Sequence, residues 1–287
     1  MNFEKYHQKP IPKKMTINCK GELIDLTSPK VMGILNLTPN SFYDGGKFKS
    51  EKEVLLHVEK MAADGATFVD IGAYSSKPNA ENVSEQEELS RIVPMVTLIQ
   101  QNFPELLLSI DTFRSEVAKQ CLDNGAAMIN DITAGEGDSQ MFKTIAAYNV
   151  PYIMMHMRGT PQTMQSLTDY DDIVKEVLFY FSERVSLARS FGINDLIVDP
   201  GFGFAKTAEQ NFEILQKLEL FSILELPILI GVSRKSMIYK PLNNTIEEAL
   251  NGTTVLNTIA LTKGANILRV HDVKEAMECV TLFNKMK

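Results

Sequence analysis

Short apolar segments of strand length recur along this chain, and a longer segment with the apolar spacing of a helix follows most of them. The eight apolar segments are Val31–Leu35, Phe68–Gly72, Leu106–Ile110, Ala127–Ile129, Tyr152–Met155, Leu196–Val198, Ile228–Val232 and Ile267–Val270. Continuous apolar runs are typical of strands buried on both faces of a parallel sheet. The helical patterns include Glu51–Ala63, Glu85–Gln101, Ser115–Asp123, Asp172–Ser190 and Ile246–Lys263. Eight strand–helix units over about 250 residues predict an α/β fold, the (β/α)8 TIM barrel.

The residues before the first of these segments predict a β-hairpin, with strands at Thr16–Cys19 and Glu22–Leu26. We expect this hairpin to cap the N-terminal end of the barrel. No linker or low-complexity tract divides the chain, so we predict one domain over residues 1–287, with an extension and hairpin over 1–30 and the barrel over 31–287. The alternative is an open doubly wound sheet. That fold would usually carry a GxGxxG turn after its first strand, which residues 32–41 lack.

Charge and cysteine usage exclude several classes of protein. The chain has 29 Lys and Arg against 36 Asp and Glu, a formal net charge of −7, whereas binding to nucleic acid or an anionic membrane favours a basic surface. The three cysteines show neither a disulfide framework nor zinc-ligand spacing. The N-terminus lacks the apolar core of a secretory signal, and no apolar run reaches the roughly 18 residues of a membrane span. We expect a cytoplasmic protein without nucleic-acid or membrane partners.

The lengths of the predicted loops locate a site. Connections from helix to strand are short, whereas those from strand to helix are longer and polar, notably Asn36–Ser50, Gly72–Ser84 and His156–Asp169. In (β/α)8 barrels the active site is built from this second set, at the carboxyl ends of the strands. The sequence therefore predicts a site at that end.

Polar residues follow all eight predicted strands. They are Asn36, Asp70, Asp111, Asn130, Asp131, His156, Asp199, Ser233, Arg234, Lys235, Arg269 and His271. Carboxylates and amides suit a flat, nitrogen-rich heterocycle, and the late Arg and His suit an anion such as phosphate. Asp111 and Asp199 each end an apolar run, where burying a carboxylate is costly without a partner. For Asp70 the simpler explanation is acceptance of loop N–H bonds, and for His156 it is a hydrogen-bonded histidine at the barrel rim.

Several of these segments form a recognisable series. They are Gly33–Gly46, Asp70–Pro78, Ser109–Thr112, Ile129–Asp131, Met155–His156, Asp199–Phe204, Ser233–Ser236 and Arg269–Val273. In this order, and each at a predicted strand end, they resemble the signatures of the dihydropteroate synthases, a family of pterin-binding TIM barrels. The resemblance covers the chain from about residue 31 to its end.

The resemblance implies a transferase of folate biosynthesis. Members of that family join 6-hydroxymethyl-7,8-dihydropterin pyrophosphate to p-aminobenzoate and release pyrophosphate. Breaking the C–O bond leaves negative charge on the pyrophosphate and positive charge on the pterin methylene, so a dissociative step needs no protein nucleophile. The family also implies Mg²⁺ as cofactor, a homodimer, and competition by sulfonamides at the p-aminobenzoate site.

The resemblance also implies roles for matching residues. The pterin ring would be bound by Asp111, Asn130, Met155, Asp199, Phe204 and Lys235. The pyrophosphate would be bound by Asn36, Ser76, Arg269 and His271, with Asn36 also a ligand of Mg²⁺. The p-aminobenzoate would be bound by Ser76, Lys77, Phe204 and Ser236. Asp111, Lys235, Arg269 and His271 would act in catalysis.

This chain departs from the family pattern in its loops. Asn40 stands where the family usually has Asp, and Ser76-Lys77 stands for Thr-Arg. Ala73-Tyr74 replaces a Gly-Glu pair, and Ala205 replaces a glycine. We expect these changes to affect the p-aminobenzoate site and to leave the pterin and phosphate residues untouched.

Three other functions remain open. A pterin-binding methyltransferase domain would share the barrel and have no pyrophosphate to stabilise. A non-catalytic pterin-binding protein would bind the pyrophosphate ester without turnover. A sugar-phosphate barrel enzyme would need a Schiff-base lysine or a metal-ligand cluster inside the barrel. Ser233–Ser236 and Arg269–His271 favour the synthase.

Overall fold

The eight apolar segments form parallel strands around a common axis in the structure, a computed structural model that describes residues 15–37, 47–74 and 83–286. After a hairpin of β1 (Thr16–Cys19) and β2 (Glu22–Asp25), the parallel strands are β3 (Lys30–Asn36), β4 (Phe68–Gly72), β5 (Leu107–Asp111), β6 (Met128–Asp131), β7 (Tyr152–Met155), β8 (Leu196–Asp199), β9 (Leu229–Ile230) and β10 (Ile267–Val270). The sheet runs in the order β8-β7-β6-β5-β4-β3-β10-β9. A parallel bridge between Val198 and Ile228 joins its two ends. The barrel prediction is confirmed, and the open doubly wound sheet is excluded.

Helices cover the outside of the barrel. They are α1 (Lys47–Ala63), α2 (Glu85–Asn102), α3 (Ser115–Asp123), α4 (Met141–Tyr148), α5 (Ile173–Ser190), α6 (Ala208–Gln216), α7 (Ser236–Tyr239), α8 (Leu250–Thr262) and α9 (Val273–Lys285). In the described part of the chain, 3₁₀ turns lie at Met164–Ser166, Leu218–Leu224 and Glu247–Ala249. No helix among the described residues is long and apolar enough to cross a membrane.

The hairpin closes the N-terminal end of the barrel, as predicted. Its turn, Lys20-Gly21, has positive φ at both residues (55° and 89°), the geometry that matches the twist of a two-residue hairpin. Ile17 and Cys19 of β1, with Leu26 just after β2, pack against the inward side chains at the beginnings of the strands. Those side chains include Met32, Phe68, Leu107, Met128, Ile153, Ile197, Leu229 and Ile267. This apolar plug keeps water out of the barrel from below.

Strand alternation places a polar layer directly above the plug. Side chains two positions apart on a strand share a face. The residues two positions beyond the plug residues are therefore also inward-facing: Ile34, Asp70, Ser109, Asn130, Met155, Asp199, Gly231 and Arg269. Asp70, Ser109, Asn130 and Asp199 are all buried. The fold thus buries charged and amide groups in the upper half of the barrel interior.

The turn after β8 depends on a glycine. Gly201 has φ 73°, and a Cβ there would lie 2.1 Å from the carbonyl oxygen of His156, which is backbone and cannot move aside. We expect Gly201→Ala to lower the free energy of unfolding by about 3 kcal/mol or more. Gly264 has a similar φ of 98° with no atom within 4 Å of its would-be Cβ. Gly264→Ala should cost only about 1–2 kcal/mol. Equal losses in urea unfolding of the two variants would contradict the steric explanation.

Candidate active site

The buried carboxylate of Asp70 and the partly buried carboxylate of Asp111 share one guanidinium inside the barrel. Arg269 on β10 donates from Nε to Oδ2 of Asp70 (2.6 Å) and from Nη2 to Oδ2 of Asp111 (2.9 Å). Asn130 on β6 donates from Nδ2 to the same Oδ2 of Asp70 (2.9 Å). Strands β4, β5, β6 and β10 thus contribute to one hydrogen-bonded cluster. The expectation that Asp70 accepts loop N–H bonds is wrong, because its Oδ2 is taken by Arg269 and Asn130.

Asp111 is the carboxylate of this cluster whose charge depends most on its surroundings. Burial raises its pKa to about 7, because desolvation and the neighbouring Asp70 outweigh the favourable charge of Arg269. Asp111 is therefore ionised above about pH 7 and protonated below it. Oδ1 of Asp70 and Oγ of Ser109 have no hydrogen-bond partner among the described residues, although both are buried at neighbouring positions of β4 and β5. The pocket floor therefore has unused polar atoms.

Asp199 and Lys235 form the opposite wall. Asp199 ends β8 and accepts from the backbone N–H of Gly201 (2.8 Å), and burial raises its pKa while the charge of Lys235 lowers it. Lys235 Nζ donates to the carbonyl of Phe202 (2.5 Å) and lies 4.9 Å from the ring centre of Phe204. Burial lowers the pKa of Lys235 to about 8, although the charge of Asp199 opposes this shift. A buried carboxylate and a nearby ammonium can together bind the amide edge of a heterocycle.

Apolar side chains border these polar groups. Met155 and the half-buried Phe204 belong to a small cluster above the strands, separate from the main core, and Met157 and Ala205 lie in the same cluster. Met155 follows the inward parity of β7, whereas Met154 packs into the outer core. The structure thus brings Met155 and Phe204 to the same end of the barrel as Asp111, Asn130, Asp199 and Lys235.

The rim holds two of the predicted anion-binding residues. Asn36 at the end of β3 and His271 after β10 are both exposed. His271 Nδ1 lies 3.0 Å from Oγ of Ser233, which also accepts the His271 backbone N–H (3.2 Å). Ser236 is exposed at the first position of α7. The guanidinium of Arg234, another of the strand-end residues, donates two hydrogen bonds of 2.9 Å to Asp272.

His156 is a hydrogen-bonded histidine, as expected, and its partner was not identified from the sequence. Nδ1 of this buried ring lies 2.9 Å from Nζ of Lys206. Lys206 also donates to the carbonyls of Gly201 (3.1 Å) and Phe204 (3.0 Å), and burial lowers its pKa to about 7. The ammonium therefore fastens the loop that carries Phe204. A lysine in a glycine-rich segment gives little sequence signal for burial, since lysines are rarely buried.

Tyr74 overturns one expectation about the loop changes. Its hydroxyl donates to Oδ1 of Asp111 (2.8 Å). The expectation that the departures leave the pterin residues untouched is therefore wrong at this position. Sequence spacing gave no sign of this contact, because its two residues lie 37 positions apart. Asn40, Ser76 and Lys77 lie outside the described residues.

The arrangement offers carboxylates, an amide and two cations in the pocket, and the exposed polar side chains of Asn36, Ser236 and His271 at the rim. Among the described residues, no three His, Cys, Asp or Glu side chains lie together as a possible metal site. A divalent cation at this end would take few protein ligands and complete its shell with water and substrate oxygens, which is the usual habit of Mg²⁺. The exposed amide of Asn36 fits such a role.

Comparison with known proteins agrees with this geometry. A family model described as pterin binding enzyme matches residues 32–271. The dihydropteroate synthase of Synechocystis sp. is 44% identical over 275 residues, covering 95% of this chain and 93% of that protein. The Escherichia coli K12 dihydropteroate synthase is 42% identical over 268 residues, covering 93% of this chain and 94% of that protein.

Solved structures lead to the same family. The Yersinia pestis dihydropteroate synthase in a sulfonamide drug complex superposes with a TM-score of 0.89 at 39% identity, covering 95% of this chain and 99% of that one. The Xanthomonas albilineans enzyme in complex with 7,8-dihydropteroate gives a TM-score of 0.84 at 34% identity, covering 94% of this chain and 98% of that one. With a strand-end cluster of Asp111, Asn130, Asp199, Lys235 and Arg269 inside a closed barrel, the chain belongs to the dihydropteroate synthase family of pterin-binding enzymes.

Proposed function

We propose that this chain joins 6-hydroxymethyl-7,8-dihydropterin pyrophosphate to p-aminobenzoate, giving 7,8-dihydropteroate and pyrophosphate in folate biosynthesis. The observation that carries this proposal is the hydrogen-bonded cluster of Asp70, Asp111, Asn130 and Arg269 inside the barrel of a chain of this family. It presents carboxylate, amide and guanidinium groups at the carboxyl ends of the strands, where barrel enzymes bind their substrates.

The deep polar groups suit the pterin ring. Asp111 and Asp199 accept hydrogen bonds from ring N–H and amino groups, the carbonyl oxygen of Asn130 accepts from a further N–H, and Lys235 donates to the ring carbonyl. Asn130 already donates Nδ2 to Asp70, so its carbonyl oxygen is left for the ligand. Met155 and Phe204 cover the faces of the ring. Each polar group of a flat heterocycle then meets a partner in a site that excludes water.

The rim groups suit the leaving pyrophosphate. The C–O bond breaks first, the electron pair leaves with the pyrophosphate, and a cation develops on the pterin methylene. An arginine has five N–H donors, and Arg269 uses two for Asp70 and Asp111. Its remaining donors, with the His271 ring, can stabilise the charge on the leaving oxygens. The ionised Asp111 stabilises the opposite charge on the ring.

We assign Asn36 as the protein ligand of a Mg²⁺ ion shared with the pyrophosphate. When bound, Mg²⁺ would neutralise charge on the leaving group. For p-aminobenzoate, the exposed Ser236 and the half-buried Phe204 form the described part of the site. Ser76 and Lys77 are assigned to it from the family motif, Ser76 to the pyrophosphate as well. The arylamine nitrogen attacks the methylene carbon and then loses its proton.

Three free thiols agree with a cytoplasmic location, which we also propose. Cys19, Cys121 and Cys279 are all buried and unpaired. Burial raises the pKa of Cys19 and of Cys121 to about 12, so neither is a reactive thiolate at neutral pH. Unpaired cysteines are usual in proteins of a reducing compartment.

The first test is an endpoint assay with the purified protein, the dihydropterin pyrophosphate, Mg²⁺ and p-aminobenzoate. We expect dihydropteroate and pyrophosphate in equal amounts, and no product when a chelator removes Mg²⁺. Calorimetric binding of the pterin substrate without any product would instead indicate a non-catalytic pterin-binding protein. Methyl transfer from methyltetrahydrofolate, with no condensation, would indicate the methyltransferase alternative.

A second prediction concerns the charge of Asp111. Because its pKa is about 7, kcat/KM for the pterin substrate should rise with pH through about 7 as the carboxyl group ionises. Asp111→Asn should abolish this rise and lower turnover about 10- to 150-fold, the equivalent of roughly 1.5–3 kcal/mol for hydrogen bonds to a charged group. Arg269 keeps Asp70 as partner, so the melting temperature should stay within a few degrees, a shift of about 1 kcal/mol or less. Unaltered turnover would remove Asp111 from the reaction.

An exposed apolar surface supports the homodimer that we propose. Ile223, in the 3₁₀ turn Leu218–Leu224, is 75% exposed, and Val255 and Ile259 on α8 are also exposed. An ion pair between Glu219 and Lys263 (2.8 Å) ties the turn to the end of α8. Exposed apolar residues on neighbouring surface elements are a common feature of interfaces between proteins.

The dimer prediction is tested by charge insertion. The double variant Ile223→Glu/Val255→Glu should sediment as a monomer. Each protomer should stay folded and keep its own thermal stability. Leu23→Glu, on the hairpin, changes an equally exposed side chain (72%) and should leave the dimer intact. A double variant that remains dimeric would place the interface elsewhere.

A further inference from the structure

Tyr74 contacts the carboxylate assigned to the pterin ring, at a position where this chain departs from the family motif. The residue is only 9% exposed, and its hydroxyl donates to Oδ1 of Asp111 at 2.8 Å. Oδ2 of Asp111 is taken by Arg269. Both oxygens of the carboxylate are therefore bound, one by a neutral hydroxyl and one by a cation, and the plane of the carboxylate is fixed.

The ring of Tyr74 is itself held in place. Its neighbour is Phe113, which meets it edge to face with ring centres 5.2 Å apart. The guanidinium of Arg114 lies over the ring of Phe113, 5.1 Å from its centre. It also pairs with the buried Glu88. Arg91 donates to the backbone carbonyl of Ala73, directly before Tyr74 (3.2 Å). The hydroxyl is thus aimed by packing, before any substrate binds.

The two partners of Asp111 differ in what a substrate does to them. Arg269 has donors left for an anion, so a pyrophosphate group drawn to it competes with Asp111 for the same guanidinium. The hydroxyl of Tyr74 carries no charge and is not drawn towards a pyrophosphate. A neutral donor also adds no repulsion between the carboxylates of Asp70 and Asp111, as a third carboxylate would.

We propose that Tyr74 is a positioning residue of the pterin site, whose hydroxyl holds the Asp111 carboxylate in its binding orientation while Arg269 engages the leaving group. The proposal rests on the proposed function, because it assigns Asp111 to the pterin ring. Tyr74 touches Asp111 and is assigned no contact with the reacting atoms. The contact deepens the proposed reaction by adding a residue that selects the ionised, correctly oriented form of Asp111.

The pKa of Asp111 distinguishes the proposal from a packing role, because it would not change if Tyr74 contributed only packing. The charged and titratable groups that act on it are Arg269 and Asp70 inside the barrel, Tyr74 beside it, Glu88 on α2 and Lys235 before α7. Burial raises the pKa of Asp111, while the hydroxyl of Tyr74 lowers it. Removing the hydroxyl should therefore raise this pKa and move the acid limb of the pH profile to higher pH.

The experiment compares Tyr74→Phe with the wild type and with Tyr152→Phe. Tyr152 donates to another buried carboxylate, Asp131 (2.6 Å), away from Asp111, so this control loses the same kind of bond. For Tyr74→Phe we expect kcat/KM for the pterin substrate near pH 6 to fall about tenfold, the lower bound for a hydrogen bond to a charged group. The acid limb should move to higher pH, and KM for p-aminobenzoate should stay within about twofold. Tyr152→Phe should lose thermal stability and keep the wild-type acid limb.

Two results would overturn the proposal: coincident acid limbs for Tyr74→Phe and the wild type, or the same limb shift in Tyr152→Phe. The failure of the proposed function is seen separately, as a wild-type protein that forms no dihydropteroate. In that case calorimetric titration of the dihydropterin pyrophosphate across the same pH range tests Tyr74 alone. Weaker binding by Tyr74→Phe, with the difference growing as the pH falls, supports the contact, and equal binding refutes it.

Discussion

The carboxylates of Asp70 and Asp111 lie within hydrogen-bond reach of one guanidinium, that of Arg269, in a space closed from below by the apolar plug. Each of these ions would be costly to bury alone, because desolvation exceeds what a solitary charge recovers in a protein interior. Arg269 makes both carboxylates tolerable, and Asn130 adds a further donor to Asp70. The orientation of the groups assigned to the pterin therefore depends on a side chain that is also assigned to the leaving group.

Strand alternation determines which side chains join this cluster. The first inward layer of strand side chains is apolar and is covered by the hairpin, so the next inward residues open towards the carboxyl ends of the strands. Asp70, Ser109, Asn130, Asp199 and Arg269 all lie two positions beyond a plug residue. A shift of one residue in any strand would turn its polar side chain outwards against the helices. The plug thus contributes to function by fixing the depth at which the polar layer begins.

Local patterns in the sequence were sufficient for the barrel, the hairpin and the strand-end residues Asp111, Asn130 and Asp199, because each depends on residues close together along the chain. Contacts between distant segments were not predictable in this way. Lys206 lies 50 positions from His156, and neither residue type predicts the pair. Asp70 was expected to accept loop N–H bonds, because its partners Asn130 and Arg269 lie on other strands. The change at Tyr74 was expected to affect only the p-aminobenzoate site for the same reason, since only the closed barrel brings Tyr74 to Asp111.

The balance of charge in the pocket explains why binding of an anionic substrate requires groups in addition to those inside the barrel. Three carboxylates, Asp70, Asp111 and Asp199, face two cations, Arg269 and Lys235, and the pKa values of Asp111 and Lys235 both lie near neutrality, at about 7 and about 8. Both cations are engaged with carboxylates or carbonyls, so the pocket floor carries no net positive charge. It offers a pyrophosphate only the N–H groups of Arg269 that Asp70 and Asp111 leave unused. Positive charge for the pyrophosphate must therefore come from the proposed Mg²⁺ at Asn36. Burial and the charge of Arg269 lower the pKa of His271 to about 4, so its ring is a neutral hydrogen-bonding group at the rim. This division keeps the floor selective for a neutral heterocycle with many N–H groups, and it leaves the anion to groups that solvent can reach.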